Sequence, residues 1–390
     1  MRKPQLAALA ALSMVCTANS QTSFATIYSI ATGRPGGITL LSGAIYVVVG
    51  DTGCGYVLNL QPPPAPGSIW VESVLYTFPS AGNDGCFPTG GPVMGAAGDL
   101  YGLTSTGGQN GYGTMYELQP PASQGGAWTE SVAYSFNAIN DEGGGNPVGL
   151  LVDGPEGSFY VVDDYNGGAL LQLFPPAAQV FPWTGALLAE VAGGNWVVRG
   201  PKGEVYVTEA GGGIHGEGIL VKLTPPRTPG GSWTQTTLHS FGCCSQAAPG
   251  DPNTLTVASG GTIYGTTYGE IPFVFTGASA AFSLTPPSSP GGEWTYTMLH
   301  YFGENHATGP LVLRDGNLYG TVQNPRGGAV FELHPPTASG GSWTVTYLHR
   351  FTNGQTPSGL VIDDKGTLYG TTGSIPPAPP TGTIFKIETK

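Results

Sequence analysis

The chain has 390 residues, with 13 Lys and Arg against 25 Asp and Glu and a net charge of -12 at pH 7. Phosphate-rich partners need clustered Lys and Arg, so this balance excludes nucleic acid and anionic membrane surfaces. Only 10% of residues are charged, while 64 are Gly and 35 Pro, a composition that fits many short elements divided by turns.

Taken in chain order, Arg2 and Lys3 precede an apolar run over 6–15 that is too short to span a bilayer. Ala18-Asn19-Ser20 then offers a small-x-small cleavage site. The expectation is a signal peptide over 1–20, a mature start near Gln21 and a secreted protein, extracellular or periplasmic. Cys16 follows Ser13-Met14-Val15, which lacks the Leu and small residue of a lipid-attachment signal. No later segment is long and apolar enough for a membrane helix, and no C-terminal anchor is visible. Cys54, Cys86, Cys243 and Cys244 follow the leader. An even count in an exported chain points to disulfides. Cys54–Cys86 across neighbouring repeats is one pairing, and Cys243-Cys244 either bridge each other or pair elsewhere. No Cys-x-x-Cys or nearby His at ligand spacing is present, so no metal is expected.

The stretch 98–136 shows the organising unit. Short β-rich runs over 100–104, 113–118 and 128–136 are divided by Gly/Asn and Pro-Pro punctuation. Its apolar-Tyr dipeptide recurs at Tyr46, Tyr101, Tyr160, Tyr206, Tyr264, Tyr319 and Tyr369, which makes seven copies 46–59 residues apart. Pro-Pro begins at Pro62, Pro120, Pro175, Pro225, Pro286 and Pro335, and an aromatic opens the outer strand at Trp70, Trp128, Trp183, Trp233, Trp294 and Trp343. Both sets are one short of seven. Residues 22–30 carry the outer-strand pattern, Tyr28-Ser29-Ile30 matching Tyr134-Ser135-Phe136. An N-terminal strand that completes the last repeat closes a ring and removes an exposed edge. The expected fold is all-β, a seven-bladed β-propeller of four-stranded blades, one domain over 21–390, and a monomer. Gly in the second strand is expected where blades crowd toward the axis.

Leu-Tyr-Gly-Thr-Thr, Gly-x-Gly-x-Val-Phe-Glu-Leu-x-Pro-Pro and Gly-Gly-x-Trp-Thr resemble the GloVer tandem-repeat family of secreted bacterial proteins. The resemblance covers 22–390 and is clearest at 98–136, 261–302 and 316–351; the third and fourth units depart most. It implies export and a repeat fold, and it brings no catalytic residues. Many relatives add a C-terminal surface anchor, which is not visible here.

His239, His300 and His349 share one outer-strand repeat position, and His334 precedes a Pro-Pro stop, so all four read as scaffold. His215, in 211–218 with Glu217, and His306, in 303–309 with Glu304, lie in variable loops beside acids. In a propeller, loops from second to third strand and from blade to blade emerge on one face. Both His could therefore line one mouth and serve as acid/base groups. Acids expected there are Asp84, Asp141, Glu142, Asp163, Asp164, Glu209, Asp251 and Glu270. Asp163 and Asp164 are adjacent on a strand, so at most one faces the mouth. Catalytic candidates are thus His215, His306, Asp163 and Glu209. Ligand-binding candidates, on mouth loops 79–91, 105–112 and 137–146, are Tyr112, Asn110, Asp84, Phe87 and Asp141, whose rings and polar groups suit stacking on and hydrogen bonding to sugar. The Gly-rich 107–113 has no Lys and no following helix, so it is no phosphate loop, and no Gly-x-Ser-x-Gly elbow is present. The leading expectation is a non-enzymatic binding or cell-envelope interaction module, with carbohydrate as the first ligand and no cofactor. The alternative is a propeller hydrolase or lyase.

Overall fold

The computed structural model describes residues 22–389 except 51–52, 66–67, 81, 124, 138–145, 165–166, 177–181, 229, 243–249, 269–278, 290, 304, 339, 353 and 375–379. Seven four-stranded antiparallel sheets succeed one another along the chain. Blade 1 is Arg34–Leu41, Ala44–Gly50, Tyr56–Gln61 and Val71–Thr77. Blade 2 is Gly85–Met94, Leu100–Gly107, Thr114–Gln119 and Thr129–Ser135. Blade 3 is Pro147–Asp153, Phe159–Asp163, Ala169–Phe174 and Thr184–Glu190. Blade 4 is Gly194–Arg199, Val205–Glu209, Ile219–Thr224 and Thr234–Ser240. Blade 5 is Pro252–Val257, Ile263–Thr267, Ser279–Thr285 and Thr295–Gly303. Blade 6 is His306–Arg314, Asn317–Asn324, Gly327–His334 and Thr344–Phe351. Blade 7 is Gln355–Ile362, Thr367–Ser374 and Gly382–Glu388, completed by Ser23–Ile30. The first strands touch each other in a closed circle.

The closing strand repeats the geometry of the other outer strands in detail. Each outer strand carries a bulged residue at one shared position against its partner, Leu75, Ala133, Leu188, Leu238, Leu299 and Leu348, and blade 5 has a second bulge at Phe302. The closing strand bulges at Ile27, between Thr26 and Tyr28. An apolar bulge residue turned into the wedge between blades is thus a repeat feature that the two chain ends share.

The glycine of Leu-Tyr-Gly-Thr has a more local cause than crowding at the axis. A Cβ on Gly102, Gly265, Gly320 or Gly370 would meet first the aromatic side chain of Tyr116, Phe282, Phe331 or Phe385, within 2.2–2.5 Å. These are the residues directly opposite on the third strand. Where the opposing residue is Leu58, Leu171 or Val221, the second strand carries Val47, Val161 or Val207 instead. Close packing leaves room for one large group at this level of each blade.

The inner strands are longer than the sequence signals suggest. Each breaks register in the middle, after Pro35, Thr89, Val148, Gly194, Pro252, Thr308 and Pro357. Pro and Gly read as strand breakers, yet here they build a bulge that bends the strand past its neighbours at the axis. Side chains lock the seams: Thr208 Oγ1 donates to Asn253 O (2.9 Å), Thr254 Oγ1 to Gly309 O (3.0 Å) and Thr308 Oγ1 to Pro357 O (2.9 Å).

His239, His300 and His349 stand on outer strands as scaffold. His239 stacks on Tyr296 (4.3 Å) and His349 on Phe24 (3.6 Å), while His300 meets Phe302 edge-on (4.8 Å). Burial holds all three below the ordinary imidazole range.

Glu130 on the outer strand of blade 2 gives a pH-dependent prediction. Its carboxyl is pushed up to about 7, first by burial and then by the field of Asp84. Its Oε1 is buried without a hydrogen-bond partner among the described residues. The folded state therefore holds a proton that the unfolded chain releases near pH 4.5. The associated stability is full below that pH and is lost as pH rises through about 7. Glu130→Gln is expected to flatten thermal stability between pH 5 and 8 and to exceed the parent by about 1–2 kcal/mol above neutrality, after allowance for solvent screening. Parallel pH slopes in thermal melts of the two proteins would refute this.

Candidate functional site

The register of the inner strands defines a ring of equivalent positions at one end of the axis. The inner-strand residues paired with Val49, Thr104, Asp163, Glu209, Thr267, Val322 and Thr372 correspond between blades. The residues just before them are Arg34, Phe87, Asn146, Gly193, Asp251, His306 and Thr356. No two of these seven are chemically alike, on a scaffold that otherwise repeats.

The backbone clamps this ring. The N–H of Phe87 donates to Cys54 O (2.8 Å), that of Asn146 to Tyr112 O (2.8 Å), that of Gly193 to Gly167 O (3.1 Å) and that of Asp251 to Glu217 O (2.7 Å). In each case the acceptor lies in the second-to-third-strand loop of the preceding blade. Phe87, Asn146 and Asp251 adopt left-handed backbone, with φ of 59°, 63° and 56°. Asn and Asp tolerate that region, whereas for Phe it is strained. Phe87 is nonetheless held there, and the residue is 46% exposed. Cys54 and Cys86 are joined by a disulfide beside it.

Three neighbours of the ring, His306, Thr356 and Arg34, line a pocket of about 450 Å³ at the seam of blades 6, 7 and 1. Gln323, Asn324 and Ser358 add polar groups, and among the described residues no carboxylate contributes to the wall. Its amides are pre-set: Asn305 Nδ2 donates to Phe302 O (2.9 Å), Asn324 Nδ2 to Asn305 Oδ1 (2.8 Å), and the Arg326 N–H to Asn324 Oδ1 (2.8 Å). His306 lies against Tyr268, with ring centroids 4.8 Å apart.

The residues anticipated from the sequence fall into separate places. His306 and Phe87 belong to inner strands, not to loops, because those strands run on through their Pro and Gly bulges. His215 stays exposed in the blade 4 loop. Asp163 and Glu209 share the position of Thr104, Thr267 and Thr372 and are buried, while Asp164 is exposed. Glu209 accepts the Ala192 N–H (3.0 Å) and a bond from Gln235 (3.4 Å), holding the shortened connection into blade 4; burial raises its carboxyl above the ordinary range. The pocket that holds His306 includes none of His215, Asp163 or Glu209. Among the described residues, no three His, Cys, Asp or Glu gather in a way that could hold a metal.

The remaining candidates cluster at the rim of blade 2. Asp84 Oδ2 accepts from Tyr76 (2.7 Å), its carbonyl receives the Gly108 N–H (3.1 Å), and Asn110 Nδ2 donates to Phe136 O (3.2 Å). Tyr112 is half-buried against the blade 2–3 core. Asp141, Glu142, Cys243, Cys244, Glu270, Glu304 and the leader 1–20 lie outside the described residues. Sequence reasoning missed Arg34, Asn146 and Thr356. The signal was present: Arg34-Pro35, Phe87-Pro88, Asn146-Pro147, Asp251-Pro252 and Thr356-Pro357 place one variable residue before a repeated Pro.

Seven blades, an N-terminal closing strand and a repeated Tyr-Gly-Thr core define a tandem-repeat β-propeller. The pattern described as the Gloeobacter/Verrucomicrobia repeat matches residues 193–390, half of the chain, and the protein belongs to that family. No curated protein matches it in sequence. Among solved structures, the Cps50 (Swd1) β-propeller domain of Myceliophteria thermophila aligns with TM-score 0.56 and 10% identity, over 93% of this chain and 99% of that one. Virginiamycin B lyase from Staphylococcus aureus aligns with TM-score 0.55 and 14% identity, over 95% and 99%. At such identities the likeness is one of fold. Among the described residues, no helix is long and apolar enough to cross a membrane.

Proposed function

We propose that this protein is an exported binding module that takes a carbohydrate at the mouth ring. The observation that carries this reading is Phe87, an exposed aromatic kept in a backbone conformation that favours Asn, Asp or Gly, beside a disulfide. Strain retained in an otherwise repetitive scaffold marks a place where the side chain matters. A flat ring on blade 2 adds a stacking surface at the same end of the axis as the pocket of Arg34 on blade 1, Gln323 and Asn324 on blade 6 and Thr356 and Ser374 on blade 7, whose side chains offer hydrogen bonds; stacking and hydrogen bonding are the two contacts a sugar needs. Glycoside cleavage ordinarily requires a pair of carboxylates flanking the bond, and none of the described residues lining the pocket is Asp or Glu.

A panel of polysaccharides tested for retention and for product release checks the reading. Arg34→Ala, His306→Ala and Phe87→Asn are each expected to weaken retention about tenfold, roughly 1.4 kcal/mol, whereas His215→Ala leaves it unchanged. Product release abolished by His306→Ala or His215→Ala would replace this reading with the hydrolase or lyase. Retention untouched by all three mouth substitutions would end it.

Phe87→Asn carries a second expectation with the opposite sign. Relief of left-handed strain is expected to stabilise the protein by about 0.5–1 kcal/mol while binding falls. Thermal melts showing a less stable variant would mean that the Phe ring is part of the core.

A further inference from the structure

The opposite face of the ring carries a second cleft, explained by the way the ring closes. Trp70, Trp128, Trp183, Trp233, Trp294 and Trp343 each stand five residues before the bulge residue of their outer strand. Each lies against the repeat Tyr of the preceding blade. Trp70 meets Tyr369 with centroids 5.8 Å apart, Trp183 meets Tyr101 at 5.4 Å, Trp233 meets Tyr160 at 6.0 Å, Trp294 meets Tyr206 at 6.1 Å and Trp343 meets Tyr264 at 6.3 Å. Trp128 and Tyr46 share one core cluster. In the closing strand the same count back from Ile27 arrives at Thr22. Tyr319 of blade 6 is therefore the one repeat Tyr whose indole partner is replaced by a small residue.

A cleft of about 790 Å³ lies there, lined by Thr22, Tyr319, Glu332 and His334 among others. The corresponding cleft between blades 2 and 3, with Trp183 in its wall, measures about 560 Å³. The floor is pre-organised. Glu332 Oε1 accepts from Asn317 Nδ2 (2.8 Å) and Tyr319 OH (2.9 Å), and His334 Nδ1 stands 3.6 Å from it. Glu332 Oε2 accepts no hydrogen bond among the described residues. Arg314 ties the seam with Nη2 on Asp364 O (2.8 Å) and a second bond to Asp363 O.

We infer that this cleft is a binding site for an indole-class ring, a planar aromatic bearing an N–H donor, seated on Tyr319 where the other six seams hold their own Trp. The N–H has Glu332 Oε2 to donate to. Of the seven Trp, six sit in the seams and Trp196 packs against the core of blades 4 and 5; the ring is therefore assigned to a source outside the chain, either a free small molecule or a side chain of another polypeptide.

Fluorine NMR of fluoroindole titrated with the full chain tests this. Binding is expected, and Thr22→Trp, which supplies the missing side chain in cis, is expected to weaken it by about tenfold or more and to raise the melting temperature. Thr22→Ala should leave binding intact. Tyr319→Leu provides a second route to the same loss if Thr22→Trp does not fold. Displacement by free indole alone assigns the site to a small molecule; displacement also by a peptide of residues 230–234, which carries Trp233, assigns it to a polypeptide-borne indole. No binding to the parent chain, or binding that survives both Thr22→Trp and Tyr319→Leu, overturns the inference.

Discussion

Removing residues 22–30 is expected to abolish cooperative folding, whereas moving them to the C-terminus is expected to preserve it. The strand Gly382–Glu388 pairs with Ser23–Ile30 from Ser23↔Glu388 to Ile30↔Gly382. Without that partner its backbone donors and acceptors form an open edge, ready to pair with another chain. The loss extends into the core. Ile30 is 2% exposed and packs with Ile38, Ile45 and Ile384, and Phe24 covers His349, Phe351 and Phe385. Truncating even one such buried side chain costs about 2–5 kcal/mol, a large part of the stability of an ordinary protein. Because Ser23 lies opposite Glu388, a short hairpin loop can join the ends, with the chain opened between Ile30 and Arg34. Circular dichroism melts and size-exclusion chromatography distinguish the cases. A deletion variant that melts like the parent would show that the ring does not depend on this strand.

Replacing Cys54 and Cys86 together by Ala should cost about 3–4 kcal/mol from the loop-closure entropy of a bridge of this span, given a sequence separation of 32. The bridge joins the second-to-third-strand loop of blade 1 to the inner strand of blade 2 and so staples one seam of the ring. It also fixes the mouth, because Cys54 O receives the Phe87 N–H (2.8 Å). The double substitution is therefore expected to lower thermal stability by several degrees and to weaken retention of the ligand as Phe87→Asn does. Equal melting points with and without reductant, in a chain shown to hold the bridge, would contradict this.

Much of the fold was legible because the repeat carries its own punctuation. A Tyr dipeptide recurring seven times beside six Trp and six Pro-Pro marks left one incomplete unit, and residues 22–30 matched the missing part. The scaffold role of His239, His300 and His349 followed from their shared repeat position. The inner strands were harder to read, since Pro and Gly signal breaks locally while the axis demands bulges there. Phe87 and His306 were accordingly expected on loops, although both sit on strands.

By itself the sequence determined the blade number and the closing strand, because each depends on local pattern. Only the tertiary structure decided which variable residues meet. Arg34, Phe87, Asn146, Gly193, Asp251, His306 and Thr356 lie on seven different blades, and only the closed ring makes them neighbours around one axis. The same holds for Thr22. Its small side chain is unremarked in the linear chain and becomes a cleft against Tyr319 only because the two ends meet in one sheet.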